Sequence, residues 1–342
     1  MAVRAAHGQQ LRVLDQLKGA RMDAGDALRN WGARRCWQKP GQTVDGIGFT
    51  LDEWSWPRWD AAATTGWLRV WPNPDLISAP ARWTGTGWGA KMPLDPLVIP
   101  WGPGWRGGGG SDNGVIIAGR NGETITAQGL APLAWWHRLQ ISAATWWRAN
   151  LTEWDWRADA ISITRPGDQV RGSQGPWTKL DGLLVPELLA SDAPWPGPLR
   201  LVAVNGQWGP GATAAPGAWV EHPGPARYGH MAAEVPSGAD PRCIPCGSVI
   251  RLDITEQQIS RWLDAAKATG RLRETKARFA RGLRDTGMRL SETGSGEPII
   301  ESCGAVNPVD RKAWASLGVT NNIEATQLGA GLFTHGTLRE AA

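Results

Sequence analysis

Glycine and proline interrupt this chain so often that long regular elements have little room over most of its length: 44 Gly and 25 Pro stand among 342 residues. They follow no collagen-like triplet period, so they read as turns between short elements. Between the breaks stand tryptophans, 23 of them against one Tyr and three Phe. All but Trp262 and Trp314 fall between Trp31 and Trp219, which separates a Trp-dense portion from a helical C-terminal one. Indoles have two uses here. They can pack in a core as Phe and Tyr do elsewhere, and those beside Gly, Pro or polar residues can offer a flat apolar face to the CH-rich side of a pyranose ring.

At 42% hydrophobic and 20% charged residues, the chain can bury one large core or two ordinary ones, which excludes wholesale disorder. No apolar run reaches the roughly 18 residues of a membrane span, and the start from Met1 to His7 lacks the apolar centre of a secretory signal. Neither a span nor a signal peptide is expected. A formal net charge of +4 is compatible with anionic partners but does not require them, and nucleic acid is not expected. Much of the excess lies between Arg251 and Arg289, read here as a solvated helix face rather than a phosphate-binding one.

Residues 1–38 read as a helical attachment segment, with Leu11, Leu14, Leu17 and Met22 at helix spacings and Gly8, Gly19 and Gly25 weakening it. Residues 39–320 form the Trp-rich domain. Its strand candidates are Gly66–Trp71, Gly114–Ala118, Thr124–Gln128, Arg138–Thr145, Ala160–Thr164 and Leu199–Val204. Asn121-Gly122 fits a two-residue hairpin turn. Thr255 with Gln258 forms a capping box that opens a helix over about 255–286, interrupted at Gly270 and stopped by a left-handed Gly287. A strand pair, Met288–Glu292 with Pro298–Ser302, and a helix bearing Trp314 follow, and residues 321–342 read as a tail. The fold class expected is mainly β: a jelly-roll or concanavalin-like β-sandwich with an N-terminal helical segment and an inserted C-terminal helix. The loops Ala90–Asp112 and Asn205–Gly224 are long enough to carry function.

Several stretches, taken in order, resemble a family of little-characterised jelly-roll-like β proteins of actinobacteria and their phages, akin to phage minor tail proteins. They are Pro96 to Pro100, Gly110-Ser-Asp-Asn-Gly-Val-Ile-Ile, Leu183-Leu-Val-Pro-Glu187, Gly229-His-Met, Ile244-Pro-Cys-Gly-Ser-Val-Ile-Arg-Leu-Asp253 and Leu283-Arg-Asp-Thr-Gly-Met-Arg-Leu-Ser-Glu-Thr-Gly294. The resemblance spans roughly Pro96 to Val319, and its most specific part is a Pro-Cys-Gly turn, a strand ending in Leu-Asp, then a helix closing on Gly. It implies a β-sandwich exposed to the outside, often beside polysaccharide. The missing signal and the added N-terminal segment fit a virion component assembled in the host cytoplasm.

Three constellations bear on chemistry. Glu153-Trp-Asp155-Trp sets two carboxylates two residues apart, on one face if this is a strand, and paired carboxylates are what glycoside hydrolysis needs. The alternative is a surface pair, and the weaker Asp52-Glu53 invites the same two readings. Cys243 and Cys246 have zinc-knuckle spacing, with Cys36 and Cys303 able to complete a set, but there is no second close pair, and free buried thiols or a disulfide compete. Gly107 to Gly110 lacks a P-loop ending and reads as a flexible loop. No cofactor is expected. The leading reading is a non-enzymatic virion protein, a minor tail or tail-tip component that adheres to a host-surface glycan. In it Trp101, Trp105 and Trp208 stack on sugars while Asp112, Asn113 and Asn205 supply hydrogen bonds. Its partners would be other virion proteins, the glycan and further copies of itself. A glycosidase or polysaccharide lyase using Glu153 and Asp155, and an architectural virion protein without ligand, are the rivals.

Overall fold

The computed structural model describes residues 22–23, 46–73, 96–110, 113–139, 151–165, 179–203, 249–293 and 298–340. Three mostly antiparallel sheets carry the chain, with helices packed on one of them, so the protein is mainly β. The first sheet runs β2 (Arg58–Asp60), β5 (Val115–Ala118), β6 (Thr124–Gln128) and β9 (Ala160–Thr164). The second runs β4 (Leu97–Pro100), β3 (Trp67–Pro72), β8 (Asp155–Ala158) and β7 (Ala131–Pro132). Their inward side chains meet in one core: Trp59, Val115, Ile117, Ile125 and Ile161 from the first, Leu68, Val70, Ile99 and Ala158 from the second.

The third sheet has six strands in the order β1 (Met22–Asp23), β14 (Thr337–Glu340), β11 (Val249–Asp253), β12 (Met288–Thr293), β10 (Leu199–Ala203) and β13 (Ile299–Ile300). Five short helices accompany it: α1 (Pro186–Ala190), α2 (Glu256–Ala265), α3 (Gly270–Asp285), α4 (Pro308–Ser316) and α5 (Asn322–Thr326). A second, larger core collects Ile250, Leu252, Met288, Leu290, Leu199 and Leu201 from this sheet with Ile259, Trp262, Phe279 and Leu283 from the helices. Ile47, Phe49, Leu51 and Trp56 enter it from ahead of β2.

Strand β5 joins the two cores. Val115 and Ile117 face the first, Ile116 faces the second, and all three are fully buried. A strand covered on both faces reads as a continuous apolar run, as Val-Ile-Ile does. Beside it, Arg58 of β2 donates to Asp310 of α4 at 2.7 Å and to Glu187 of α1 at 2.5 Å, fastening the first sheet to the helices.

Most expected strands stand within a residue or two of their sequence bounds, and the capping box of Thr255 and Gln258 opens α2. The helix expected over 255–286 is two helices: Lys267 and Gly270 both take positive φ, at 50° and 54°, and turn the chain between α2 and α3. Gly287 is left-handed at 88°. The expected hairpin needs correction. Gly119 donates to Glu123 and Gly122 to Gly119, so the loop has three residues with Gly122 alone left-handed, and Asn121 stays in the ordinary region. Met288–Thr293 and Ile299–Ile300 do not pair with one another; β10 lies between them. Residues 138–139 belong to a helical turn at 135–139 rather than to a strand. Met22–Asp23 is extended, not helical, and pairs with Leu338 and Thr337; the rest of the N-terminal segment lies outside the described residues. Residues 321–340 are no tail, because Leu328, Leu332 and Phe333 are buried in the larger core and β14 is an interior strand. Gly107 to Gly110 is not a loose loop: Gly109 bridges to Glu53, and Gly108 donates to Gly114 at 2.8 Å.

Tryptophan takes the place of Phe and Tyr with an added function. Trp59 donates its ring N–H to Arg106 O at 3.1 Å, Trp195 to Leu188 O at 3.0 Å, Trp262 to Ala330 O at 2.8 Å and Trp314 to Gly304 O at 2.9 Å. Each indole buries its body and ties a neighbouring carbonyl, which Phe cannot do. The Trp195 ring occupies the space beside Gly282 in α3 where a Cβ would stand. Gly282→Ala therefore lowers stability by about 1–2 kcal/mol, despite a helix-propensity gain of about 1 kcal/mol, because overpacking dominates. Chemical denaturation should show a lower midpoint at unchanged slope.

Candidate functional site

Alternation along the second sheet assigns its two faces. Leu68, Val70, Ile99 and Ala158 point into the core, so Trp67, Arg69, Trp71, Val98, Asp155 and Arg157 point outward. The centre of this outer face is ionic. Arg69 donates from both Nε and Nη2 to the Asp155 carboxylate, the second bond at 2.7 Å. Trp71 Nε1 donates to the same carboxylate at 2.7 Å and the Thr152 amide at 2.6 Å. Burial alone would raise Asp155, but Arg69, the Trp71 N–H and the Thr152 amide outweigh it and hold the carboxyl below the usual range.

One end of the face is covered and the other open. Leu133 and Leu151 pack on Trp71. At the open end Trp67 is 50% exposed and Val98 62%. Val98 lies opposite Arg69 and Trp67 opposite Pro100, so Trp67 and Val98 are diagonal neighbours on the surface. Trp154, 49% exposed, precedes β8, and its carbonyl accepts the Arg69 N–H at 2.9 Å. That places it beside the start of β3. Trp135 at 70% and Trp136 at 47% follow β7 at the far edge, their rings edge-on at 5.8 Å. Four of the five exposed indoles among the described residues thus border this sheet. The fifth, Trp54, has φ of 59° and lies over Gly110 on the turn ahead of β2.

The residues expected to bind sugar are elsewhere. Trp101 is 5% exposed, in the core between the two sheets, 5.3 Å from the Trp156 ring. Trp105 is half-buried and stacks on Trp59 at 5.1 Å. Both were expected on a binding loop, but Trp101 N donates to Gly66 O at 2.9 Å and draws that loop back onto the sheet. Asn113 donates its side-chain amide to Leu130 O at a φ of 37°, so it ties two loops together. Trp208, Asp112 and Asn205 lie outside the described residues.

The carboxylate pair is not assembled. Strand β8 begins at Asp155, leaving Glu153 exposed on the preceding turn, and Asp155 is buried with its oxygens already engaged. A carboxylate whose oxygens already accept from Arg69, Trp71 and Thr152 is not placed to serve as the general acid of such a pair. Cys243, Cys246 and Cys36 lie outside the described residues; Cys303 is a buried free thiol, pushed upward by burial. Among the described residues no three His, Cys, Asp or Glu side chains gather as metal ligands, and no helix is long and apolar enough to cross a membrane.

The outward indoles had a signal in the sequence. In Trp67-Leu68-Arg69-Val70, Trp67 shares its parity with the polar Arg69, which marks the solvent side. A scan against protein-family models and searches of curated proteins and of solved structures return no match.

Asp155→Asn should lower stability by about 2–4 kcal/mol at neutral pH, since it leaves Arg69 facing a neutral amide. Because the native carboxyl lies below its unfolded value, this contribution is present above about pH 4 and fades as acid protonates it. Urea titrations at pH 7 and pH 3 should show the two proteins converging at the lower pH.

Proposed function

We propose that this protein is a virion component, a minor tail or tail-tip protein, that adheres to a host-surface saccharide through exposed indoles. The observation that carries the reading is the open end of the second sheet, where Trp67 and Val98 offer apolar surface on the face of the Arg69–Asp155 pair, with Trp154 exposed on the turn that leads into β8. Flat apolar rings with a few fixed polar groups suit weak recognition of sugar rings. The placement differs from the sequence expectation: strand and turn residues replace Trp101 and Trp105. The two four-stranded sheets that share a core support a sandwich of jelly-roll kind as the scaffold.

The virion setting rests on the resemblance of Pro96 to Val319 to actinophage tail-like proteins. Other virion proteins and further copies of the chain are the proposed partners, with the virion as its location. Repetition on a particle raises avidity by about 10² or more over one weak site. Glycoside hydrolysis is not favoured, since Asp155 is committed to Arg69 and Trp71.

Titrating the full chain with host cell-wall polysaccharide fragments while following Trp emission should give a saturable shift. Trp67→Ala and Trp154→Ala should each weaken it about tenfold, a loss of about 1.4 kcal/mol, and Trp105→Ala should leave the affinity of the folded fraction unchanged. If no fragment binds, or if both exposed-Trp variants bind as the wild type does, adhesion by this face is wrong and a purely architectural role takes its place.

A further inference from the structure

The basic stretch from Arg251 to Arg289 divides into two groups in space. On α3 the guanidiniums are paired: Arg281 and Arg284 with Glu256 at 3.0 and 2.6 Å, Arg273 with Asp264 at 2.8 Å, Arg271 with Glu274 at 2.7 Å and Arg278 with Asp192 at 3.1 Å. This is the solvated helix face expected from the sequence. The two end residues stand on strands instead, Arg251 on β11 and Arg289 on β12.

Ile250, Leu252, Met288 and Leu290 enter the larger core, so Arg251 and Arg289 point to the opposite face of the six-stranded sheet. Arg200 of β10 is the register partner of Arg289 on that face. Val249 is the partner of Arg289 on the other side, which makes Arg251 its diagonal neighbour, about 7–8 Å away. Three guanidiniums therefore occupy three adjacent strands.

The nearby carboxylates do not serve them equally. Glu301 accepts from Arg200 and, at 2.9 Å, from Lys179. Burial and the like charge of Arg200 bring the Arg289 guanidinium below its usual range, against the opposite charge of Asp181. Asp253 shares the face of Arg251, yet among the described residues no carboxylate pairs with Arg251. The Arg251 Nε is buried with no hydrogen-bond acceptor. A guanidinium cannot relieve this by losing its proton, and its fork matches tetrahedral oxyanions.

We propose that Arg251 and Arg289 form an anion site on the face of the six-stranded sheet turned away from the larger core, for a phosphate- or sulfate-type oxyanion, free or esterified to a small sugar. Arg200, fixed by Glu301, is a positioning residue that adds positive potential behind it. The site is separate from the indole face and does not depend on the adhesion reading.

Thermal unfolding and calorimetry of the full chain with sodium phosphate, glucose 6-phosphate or glucose test it, with ionic strength held constant by sodium chloride. Phosphate should raise Tm in proportion to the logarithm of its concentration, and glucose should not. Arg251→Gln should weaken phosphate binding about tenfold or more, and Arg251→Lys, which keeps the charge but not the fork, should also weaken it. Arg271→Gln should bind as the wild type. Tighter binding of glucose 6-phosphate than of phosphate assigns the esterified ligand, and equal binding the free anion. No Tm shift beyond that of chloride, or unchanged binding by folded Arg251→Lys, overturns the site. If Arg251→Gln does not fold, Arg251→Lys decides.

Discussion

The structure depends on one strand having no solvent face. β5 packs Val115 and Ile117 against the second sheet and Ile116 against the helix-bearing part, so neither core is complete without it. Burying three adjacent β-branched side chains on opposite sides of one backbone fixes the strand's register from two directions, since a one-residue slip would exchange the two sets. The Arg58–Asp310 and Arg58–Glu187 bonds lie at the edge of this junction, on the parallel neighbour of β5. They orient the first sheet on α1 and α4, and the apolar contact holds it there.

The unusual aromatic composition follows from how short the elements are. With Gly and Pro breaking the chain, many loop carbonyls end up against the core and need donors. A buried indole supplies apolar bulk and one N–H together, and Trp59, Trp195, Trp262 and Trp314 each use both. Trp71 does the same for a carboxylate, which couples the packing of the second sheet to its charge arrangement. Among the described residues five indoles remain at the surface, and all but Trp54 border the same sheet.

What the sequence disclosed was what neighbours in the chain decide. The Thr255–Gln258 box, the left-handed stop at Gly287, the Val-Ile-Ile run of β5 and the helix bearing Trp314 depend on a few adjacent residues, and they stand as read. What it hid depends on distant partners. Met288–Thr293 and Ile299–Ile300 look like two arms of a hairpin, but β10, from well upstream, lies between them. Trp101 looks loop-borne until Gly66 draws it inward, and Asp155 looks like a catalytic acid until Arg69, far away in sequence, neutralises it. The Trp67 face was legible in principle, because its parity with Arg69 is a local property.

Sheet order also bears on how the molecule is made. β14 sits between β1 and β11, and its partner Met22 lies at the far end of the sequence from Leu338. Strands β2 to β9 can meet while the nascent chain is still growing, since all of them lie within the first 164 residues to be synthesised. The six-stranded sheet has no such option. β11 must wait with one edge unpaired until Thr337–Glu340 has been synthesised, so this half of the protein assembles last and exposes a strand edge in the interval.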